Sequence, residues 1–234
     1  MTRDLDFHKI EKIIEVQFRN IDLLKRALTH RSFLNEHQEW SKIGHNERLE
    51  FLGDAVIGLV TAEYLYKRYP QFQEGELTSL RAALINSHSL LEAVNEIGIQ
   101  DYLLVSKGEK KELKKHHPYF LANAVEAIVG AIYLDQGYKE AEKFIEKYLL
   151  ARTDKILKTG SFRDPKSIFQ EKSQEILGIT PTYKSLKSWG PDHLKQFKVG
   201  VYLKGKLVAE GEGYSKQEAE IRAAQEALLK QGWK

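Results

Sequence analysis

His45–Thr61 reads HNERLEFLGDAVIGLVT, and the fold of the N-terminal half turns on this stretch. Leu49, Phe51, Leu52, Val56, Ile57, Leu59 and Val60 surround a helix on nearly every side, which predicts a helix buried over most of its surface. Yet Glu47, Glu50 and Asp54 sit inside it. At about 100° per residue they fall within roughly 60° of one another, on one narrow face. Three like charges so placed repel, and burying even one unpaired carboxylate is costly. A hard divalent cation answers both problems, because Mg²⁺ prefers carboxylate oxygen and water. The alternative is a polar stripe facing solvent with Arg48 as a partner. Gly53 and Gly58 weigh against it: a helical glycine costs about 1 kcal/mol and is better explained by close approach of another backbone.

A second stretch has the same character. Leu121–Asp135, LANAVEAIVGAIYLD, is apolar nearly all round but carries Glu126, with Gly130 in mid-helix and Asn123 one turn before Glu126 on the same face. Two such helices can meet across a metal ion. Oxygen ligands without His or Cys indicate Mg²⁺ or Mn²⁺ rather than zinc. That chemistry suits phosphoryl transfer, where a metal activates water and stabilises the leaving oxygen.

Outward from these two stretches, apolar residues recur at three- and four-residue spacing from Ile10 to Leu150, with helices expected at Glu47–Tyr69, Glu76–Ile97, Phe120–Gln136 and Tyr138–Ala151. Pro70, Gly98, Pro118 and Gly137 punctuate them. Residues 1–151 therefore read as an all-α domain. Lys107–His117, KGEKKELKKHH, reads as a solvated helix end or loop. Residues 152–162 turn polar and read as a linker.

From 163 to 234 the pattern changes. Asp164-Pro165 opens a helix that stops at Gly178. Three β-type runs follow, Pro181–Lys187, Gln196–Leu203 and Lys206–Glu212, the last two joined at Lys204-Gly205. Ser215–Glu218 is a capping box that opens a last helix through Leu229. The order α-β-β-β-α describes a small α+β module.

Composition sets bounds on the rest. Among 234 residues there is no cysteine, which excludes a disulfide scaffold and a thiolate metal site and fits a reducing cytosolic compartment. The first residues carry no apolar core of a signal peptide, and the longest apolar runs fall short of the roughly 20 residues of a membrane span, so a soluble cytoplasmic chain is expected. Residues 163–234 hold 13 Lys/Arg against 9 Asp/Glu, whereas residues 1–162 hold 23 against 24. The positive excess lies where a nucleic-acid-binding module would have it.

His45–Asp54, HNERLEFLGD, resembles the ribonuclease III signature, supported by ALTHRSF at Ala27–Phe33, EGELTSLRA at Glu74–Ala82 and VEAIVGAIYLD at Val125–Asp135. The C-terminal module is similar to a double-stranded-RNA-binding domain through DPKSIFQE (Asp164–Glu171), PTY (Pro181–Tyr183), GPDH (Gly190–His193) and GEGYSKQEAEIRAAQEAL (Gly211–Leu228). The resemblance implies an all-α endonuclease domain of the ribonuclease III fold, a homodimer, and cleavage of double-stranded RNA to 5′-phosphate and 3′-hydroxyl ends with short 3′ overhangs. It implies Mg²⁺, with Mn²⁺ as a substitute. Glu50, Asp54 and Glu126 match metal-binding or catalytic carboxylates, with Asn123 at a fourth such position; Glu47 and Glu74 match acidic positions lining the cleft. In the binding domain, Gln170, Glu171 and His193 are expected at minor grooves, and Ser215 and Lys216 at phosphates, where a helix N-terminus also favours anions.

Asn123 departs from the family pattern, which has Asp. The amide keeps the shape and one carbonyl oxygen but loses the charge. Even changes behind metal ligands cost about 10–100-fold, so impaired cleavage is expected. Two readings stand: a natural variant with weakened metal affinity, or, favoured by the isosteric change among conforming neighbours, an introduced substitution that preserves fold and RNA binding. Gln217, where such domains often have Lys, weakens phosphate attraction slightly. The alternative functions are a non-catalytic double-stranded-RNA-binding protein, which the retained acids oppose, and a small-substrate phosphohydrolase, which leaves the C-terminal module unexplained.

Overall fold

In the computed structural model, residues 6–113, 119–160, 162, 164–191 and 195–233 are described. The chain divides into two units, Met1–Gly160 and Ser161–Lys234. The first is helical: α1 Phe7–Ile14, α2 Ile21–Ala27, α3 Arg31–Glu36, α4 Glu47–Arg68, α5 Glu74–Ile85, α6 Ser87–Ile97, α7 Lys107–Leu113, α8 Tyr119–Gln136, α9 Tyr138–Tyr148 and α10 Thr153–Thr159.

Helix α8 is the hub. Ala124, Val125, Ala127, Ile128, Val129, Ala131 and Ile132 are all fully buried, because α2, α4, α6 and α9 pack around it. Its closest partner is α4, and glycine makes the crossing possible. A β-carbon on Gly53 would fall 1.7 Å from the carbonyl oxygen of Glu126, and one on Gly130 would fall 2.3 Å from that of Leu49. The two backbones touch at these positions. Gly58 behaves differently, since a β-carbon there would meet nothing within 4 Å. The close approach expected at both glycines of α4 holds at Gly53 alone.

Nor is α4 buried all round. Phe51 is 81% exposed and Leu59 59%, with Tyr66 at 75% further along the same face. The apolar residues of α4 serve two surfaces: Leu49, Val56, Ile57 and Val60 enter the core, whereas Phe51 and Leu59 face outward.

The single helix expected over Glu76–Ile97 is two, α5 and α6, broken at Asn86. Its extended backbone lets Asn86 cap α6 by accepting from the Ser89 N–H, a device that needs neither Pro nor Gly. The stretch 152–162 is also more ordered than a linker. Thr153–Thr159 is helical and packs on α5, and Thr153 is buried, its hydroxyl donating to the Leu150 carbonyl. Gly160, left-handed at φ 63°, ends that helix. Lys107–Leu113 is helical; the rest of the charged stretch, His116 and His117 included, lies outside the described residues.

The second unit comprises α11 Pro165–Leu177, an antiparallel sheet of β1 Thr182–Trp189, β2 Gln196–Leu203 and β3 Lys206–Gly213 in the order β1-β2-β3, and α12 Lys216–Gln231. Asp164 caps α11 and Gly178 ends it. The hairpin between β2 and β3 turns at Lys204 and Gly205, with φ of 47° and 76°, as a tight two-residue turn requires. Phe169 of α11, Val201, Leu203 and Ala209 of the sheet, and Ala223, Ala224 and Ala227 of α12 form the core. The alanines let α12 lie close to β3: a β-carbon on Gly211 would fall 2.2 Å from the Ala223 nitrogen.

Candidate active site

The start of α4 is tied to the segment before α3. The buried Thr29 accepts from the Asn46 N–H through its carbonyl at 2.9 Å, while its hydroxyl donates to the Lys25 carbonyl. His30 donates its N–H to the Leu104 carbonyl, and the Leu104 N–H donates to the Leu28 carbonyl. His30 also caps α3, accepting from the Ser32 N–H at 3.2 Å, with its ring edge-on to Phe120 at 4.4 Å. Burial holds the His30 imidazole below its ordinary pKa. The Thr29–Asn46 bond holds the residue that precedes Glu47 in place.

Glu50, Asp54, Asn123 and Glu126 meet across the α4–α8 crossing. Burial raises the Glu50 carboxyl above its ordinary value, a hydrogen bond from Asn123 offsets part of this, and Glu47 and Asp54 push it up again. Glu126 is affected more. Burial, then the charges of Asp54 and Glu50, push its carboxyl up to about 7. The Gly53–Glu126 contact explains the placement, because the tightest point of the crossing is the backbone of Glu126 itself. Among the described residues no three acidic or histidine side chains stand ready to enclose a metal. Like charges this close repel, and drawing them onto one point takes a cation of opposite sign. The donor set, three carboxylates and one amide oxygen, suits a hard divalent ion.

Glu47 and Glu74 stand apart from this group. Glu47 is exposed, one turn before Glu50, and faces Arg31 Nη1 at 3.6 Å and His45 Nδ1 at 3.7 Å. Glu74 opens α5 and accepts from the Thr78 hydroxyl at 2.9 Å. It follows the far end of α4: from Asp54 to Arg68 the helix rises about 21 Å. Within one chain Glu74 does not join the acidic face.

In the second unit Gln170 and Glu171 lie exposed on α11. Ser215 caps α12, accepting from the Glu218 N–H at 3.1 Å, while Glu218 accepts from the Tyr214 N–H at 2.8 Å. Lys216 and Gln217 stand exposed on its first turn. His193 lies outside the described residues.

Two residues carry more than the sequence indicates. Asp135 accepts from the backbone N–H groups of Arg19 and Asn20, each at 2.8 Å, and so fastens the end of α8 to the start of α2. Arg31, inside ALTHRSF, meets Glu47 only in three dimensions. The spacing of Asp135 on an apolar helix was a signal for the first; the second had none.

An acidic face between crossed helices, in one chain with an α-β-β-β-α module, is the arrangement of a phosphodiester-cleaving enzyme that carries its own nucleic-acid-binding part. Residues 20–153 match the family described as Ribonuclease-III-like, and residues 165–231 match the double-stranded RNA binding motif. Ribonuclease 3 of Borreliella burgdorferi is 40% identical over 226 residues, covering 97% of this chain and 91% of that one. Ribonuclease 3 of Moorella thermoacetica is 45% identical over 210 residues, covering 89% and 88%. The crystal structure of the nuclease domain of ribonuclease III from Campylobacter jejuni shares 37% identity at a TM-score of 0.56, over 63% of this chain and 96% of that one. A second structure of that Campylobacter domain, 39% identical at a TM-score of 0.55 over 62% of this chain and 99% of that one, is described by flexibility in a region involved in dimer formation. The chain belongs to the ribonuclease III family, as a double-stranded-RNA endonuclease with a C-terminal double-stranded-RNA-binding domain. No helix among the described residues is long and apolar enough to cross a membrane.

Proposed function

We propose that this chain cleaves double-stranded RNA as a two-fold dimer in the cytoplasm, using Glu50, Asp54, Asn123 and Glu126 to hold Mg²⁺, or Mn²⁺ in its place, and that Asn123 limits its rate. The observation that carries this reading is the close α4–α8 crossing at Gly53 and Glu126, which sets Glu126 against Glu50 and Asp54, so that burial and two neighbouring carboxylates push its carboxyl up to about 7. Such a face is electrostatically unsatisfied until a cation arrives. When bound, the metal supplies positive charge against the phosphodiester and makes water a better nucleophile. Water oxygen adds to phosphorus and the 3′-oxygen leaves with a proton, giving 5′-phosphate and 3′-hydroxyl ends. In the metal-free chain Glu126 can hold a proton near neutral pH, and that proton leaves before a cation is held.

Asn123 bears on the rate through Glu50. Its side chain partly offsets the effect of burial on that carboxylate, and so stabilises the acidic face without a metal while contributing no charge to bind one. Metal affinity falls on both counts.

The exposed face of α4 supports the dimer. Phe51, Ala55, Gly58, Leu59, Ala62 and Tyr66 recur at three- and four-residue spacing along it. The stripe is centred near Gly58, which is open to close approach. A two-fold axis there sets the two α4 helices antiparallel and carries Glu74 of each copy toward the acidic face of the other, consistent with a cleft role for Glu74. It also places two acidic faces on one duplex, one for each strand, as staggered cuts with 3′ overhangs require. In the C-terminal unit Gln170, Glu171 and the exposed Lys216 at the start of α12 would meet minor groove and phosphate, as shape-reading domains do.

The test compares the chain with its Asn123→Asp variant on a long perfect RNA duplex in Mg²⁺, with binding followed in parallel. Faster cutting by the Asp variant at equal affinity supports the reading. If neither cuts in Mg²⁺ or Mn²⁺, the protein is a double-stranded-RNA binder whose acidic face does no chemistry.

A further inference from the structure

Glu47 has a different environment from the other acids. It is exposed, and its carboxylate faces two basic groups from other segments: Arg31 Nη1 lies 3.6 Å from one oxygen and His45 Nδ1 lies 3.7 Å from the other. Both distances exceed a hydrogen bond, so the pairs are loose. The Arg31 side chain is 71% exposed. An exposed pair of this kind contributes at most about 1 kcal/mol to stability. His45 is a backing group: its Nδ1 is buried with no hydrogen-bond partner, though 38% of the side chain is exposed. The arrangement does little for the fold, yet it sets a guanidinium beside the acidic face of α4.

We infer that Arg31 binds the RNA phosphate next to the one that is cut, and that Glu47, backed by His45, is the positioning residue that aims the guanidinium. The inference rests on the ribonuclease reading of the acidic face. A duplex approaching Glu50, Asp54 and Glu126 brings a row of negative phosphates toward a row of carboxylates. Repulsion is worst just outside the reach of the metal, and that is where Arg31 stands. Glu47 precedes Glu50 by about 4.5 Å along the axis of α4. This is of the same order as one nucleotide step along a duplex strand, roughly 3.4 Å in B-DNA. A guanidinium presents paired N–H donors that match two phosphate oxygens, which Lys cannot reproduce. Because the Glu47 contact is loose and exposed, a phosphate can exchange with it without breaking a buried pair.

The test uses the full chain in two arms. The first measures the salt dependence of binding to a perfect RNA duplex in Mg²⁺, with the same samples run on a gel to select time points at which the duplex is intact. Arg31→Ala is expected to lower the slope of log affinity against log salt by about 1, the contribution of one phosphate contact, while Arg31→Lys keeps the slope. The melting temperature should stay within a degree or so for both, which separates a binding role from a structural one. The second arm uses the Asn123→Asp background to obtain kcat and KM. Arg31→Ala should raise KM about 5- to 10-fold with a smaller change in kcat, Arg31→Lys should recover part of it, and Glu47→Gln should raise KM while leaving the salt slope in place. An unchanged slope together with an unchanged KM in Arg31→Ala overturns the inference, as does a loss explained by a lowered melting temperature. If the Asn123→Asp background itself fails to cut, the ribonuclease reading of the acidic face has failed, and the first arm still decides whether Arg31 touches RNA.

Discussion

Asn123 on α8 lies beside the Glu50 carboxylate on α4 and lowers the pKa that burial raises. It is a neutral solution to a problem that a fourth carboxylate would make worse. Replacing Asn123 with Asp removes the amide and adds a charge beside Glu50, which burial and two neighbouring acids already hold above its ordinary value. The metal-free Asn123→Asp protein is therefore expected to melt several degrees lower than the present chain. Added Mg²⁺ should recover more than the difference, because a more negative face binds the cation more tightly and binding stabilises the folded state. Thermal denaturation with chelator and across a Mg²⁺ series checks both statements. Equal melting temperatures without metal would show that the effect of Asn123 on Glu50 carries no weight.

The α4–α8 crossing sets a second expectation. A β-carbon at Gly53 would lie 1.7 Å from a backbone carbonyl oxygen, not from the end of a flexible side chain, so neither helix can yield locally. Gly53→Ala must push α8 away along its length. Overpacking of this kind costs about 1–3 kcal/mol and sometimes more, or several degrees of melting temperature in a unit of this size. Because the displaced oxygen belongs to Glu126, metal response should fall with stability. Gly58→Ala is the control: its site is open, alanine favours helix, and the isolated chain should be unchanged or slightly more stable. Circular dichroism melts of the two variants, read side by side, decide whether the two glycines differ as the geometry requires.

Glu126 predicts how stability depends on pH. In the folded chain its carboxyl is pushed up to about 7, whereas in the unfolded chain it titrates near 4.5. Between these values the folded state holds a proton that the unfolded state has lost, so metal-free stability falls as pH rises from about 4.5 to about 7. Glu50, also raised by burial, adds to the same trend at the acidic end. Glu126→Gln cannot ionise and should flatten the curve over this window. Metal binding has the opposite slope, since the proton on Glu126 must leave first, so Mg²⁺ affinity should rise through pH 7. Melting curves at successive pH values, with and without Glu126→Gln, test the first part; a variant that keeps the full slope would assign it to other groups.

Much of this site was legible before the structure, for identifiable reasons. Acids in otherwise apolar helices violate the burial pattern wherever they occur, so Glu50, Asp54 and Glu126 stood out. The caps of the C-terminal unit are local, made within four residues by Asp164, Gly178 and Ser215, and short-range chemistry is written directly in sequence. What escaped depends on distance or on a surface. A helix that is apolar all round reads the same whether its second side meets its own chain or faces outward, so the sequence pattern alone puts Phe51 and Leu59 in the core. The break at Asn86 is made by a side chain accepting from Ser89, with no Pro or Gly to announce it. Arg31 and Glu47 lie far apart in sequence and form a pair only because Thr29 and Asn46 fasten α3 beside α4.

The exposed stripe on α4 leads to the last prediction. Phe51, 81% exposed, and Tyr66, 75% exposed, lie at opposite ends of a row centred on Gly58. Tyr66 borders a cleft with Tyr69, Pro70, Phe72 and Leu77. In the dimer proposed above, where two such rows cross antiparallel at Gly58, Phe51 of each copy would reach that cleft on the other and both aromatic groups would leave water. Fully burying a phenylalanine side chain contributes about 1.5–3 kcal/mol, and a two-fold interface counts it twice. Phe51→Ala should therefore weaken association by two orders of magnitude or more, seen by sedimentation over a range of concentrations. Since Phe51 makes little contact within its own chain, the monomer should keep its helical content. Cleavage in the Asn123→Asp background should then fall with dilution, because in the proposed dimer each site draws Glu74 from the second copy. A Phe51→Ala protein that sediments and cuts like its parent would remove the stripe from the interface, and with it the assignment of Glu74 to the opposite cleft.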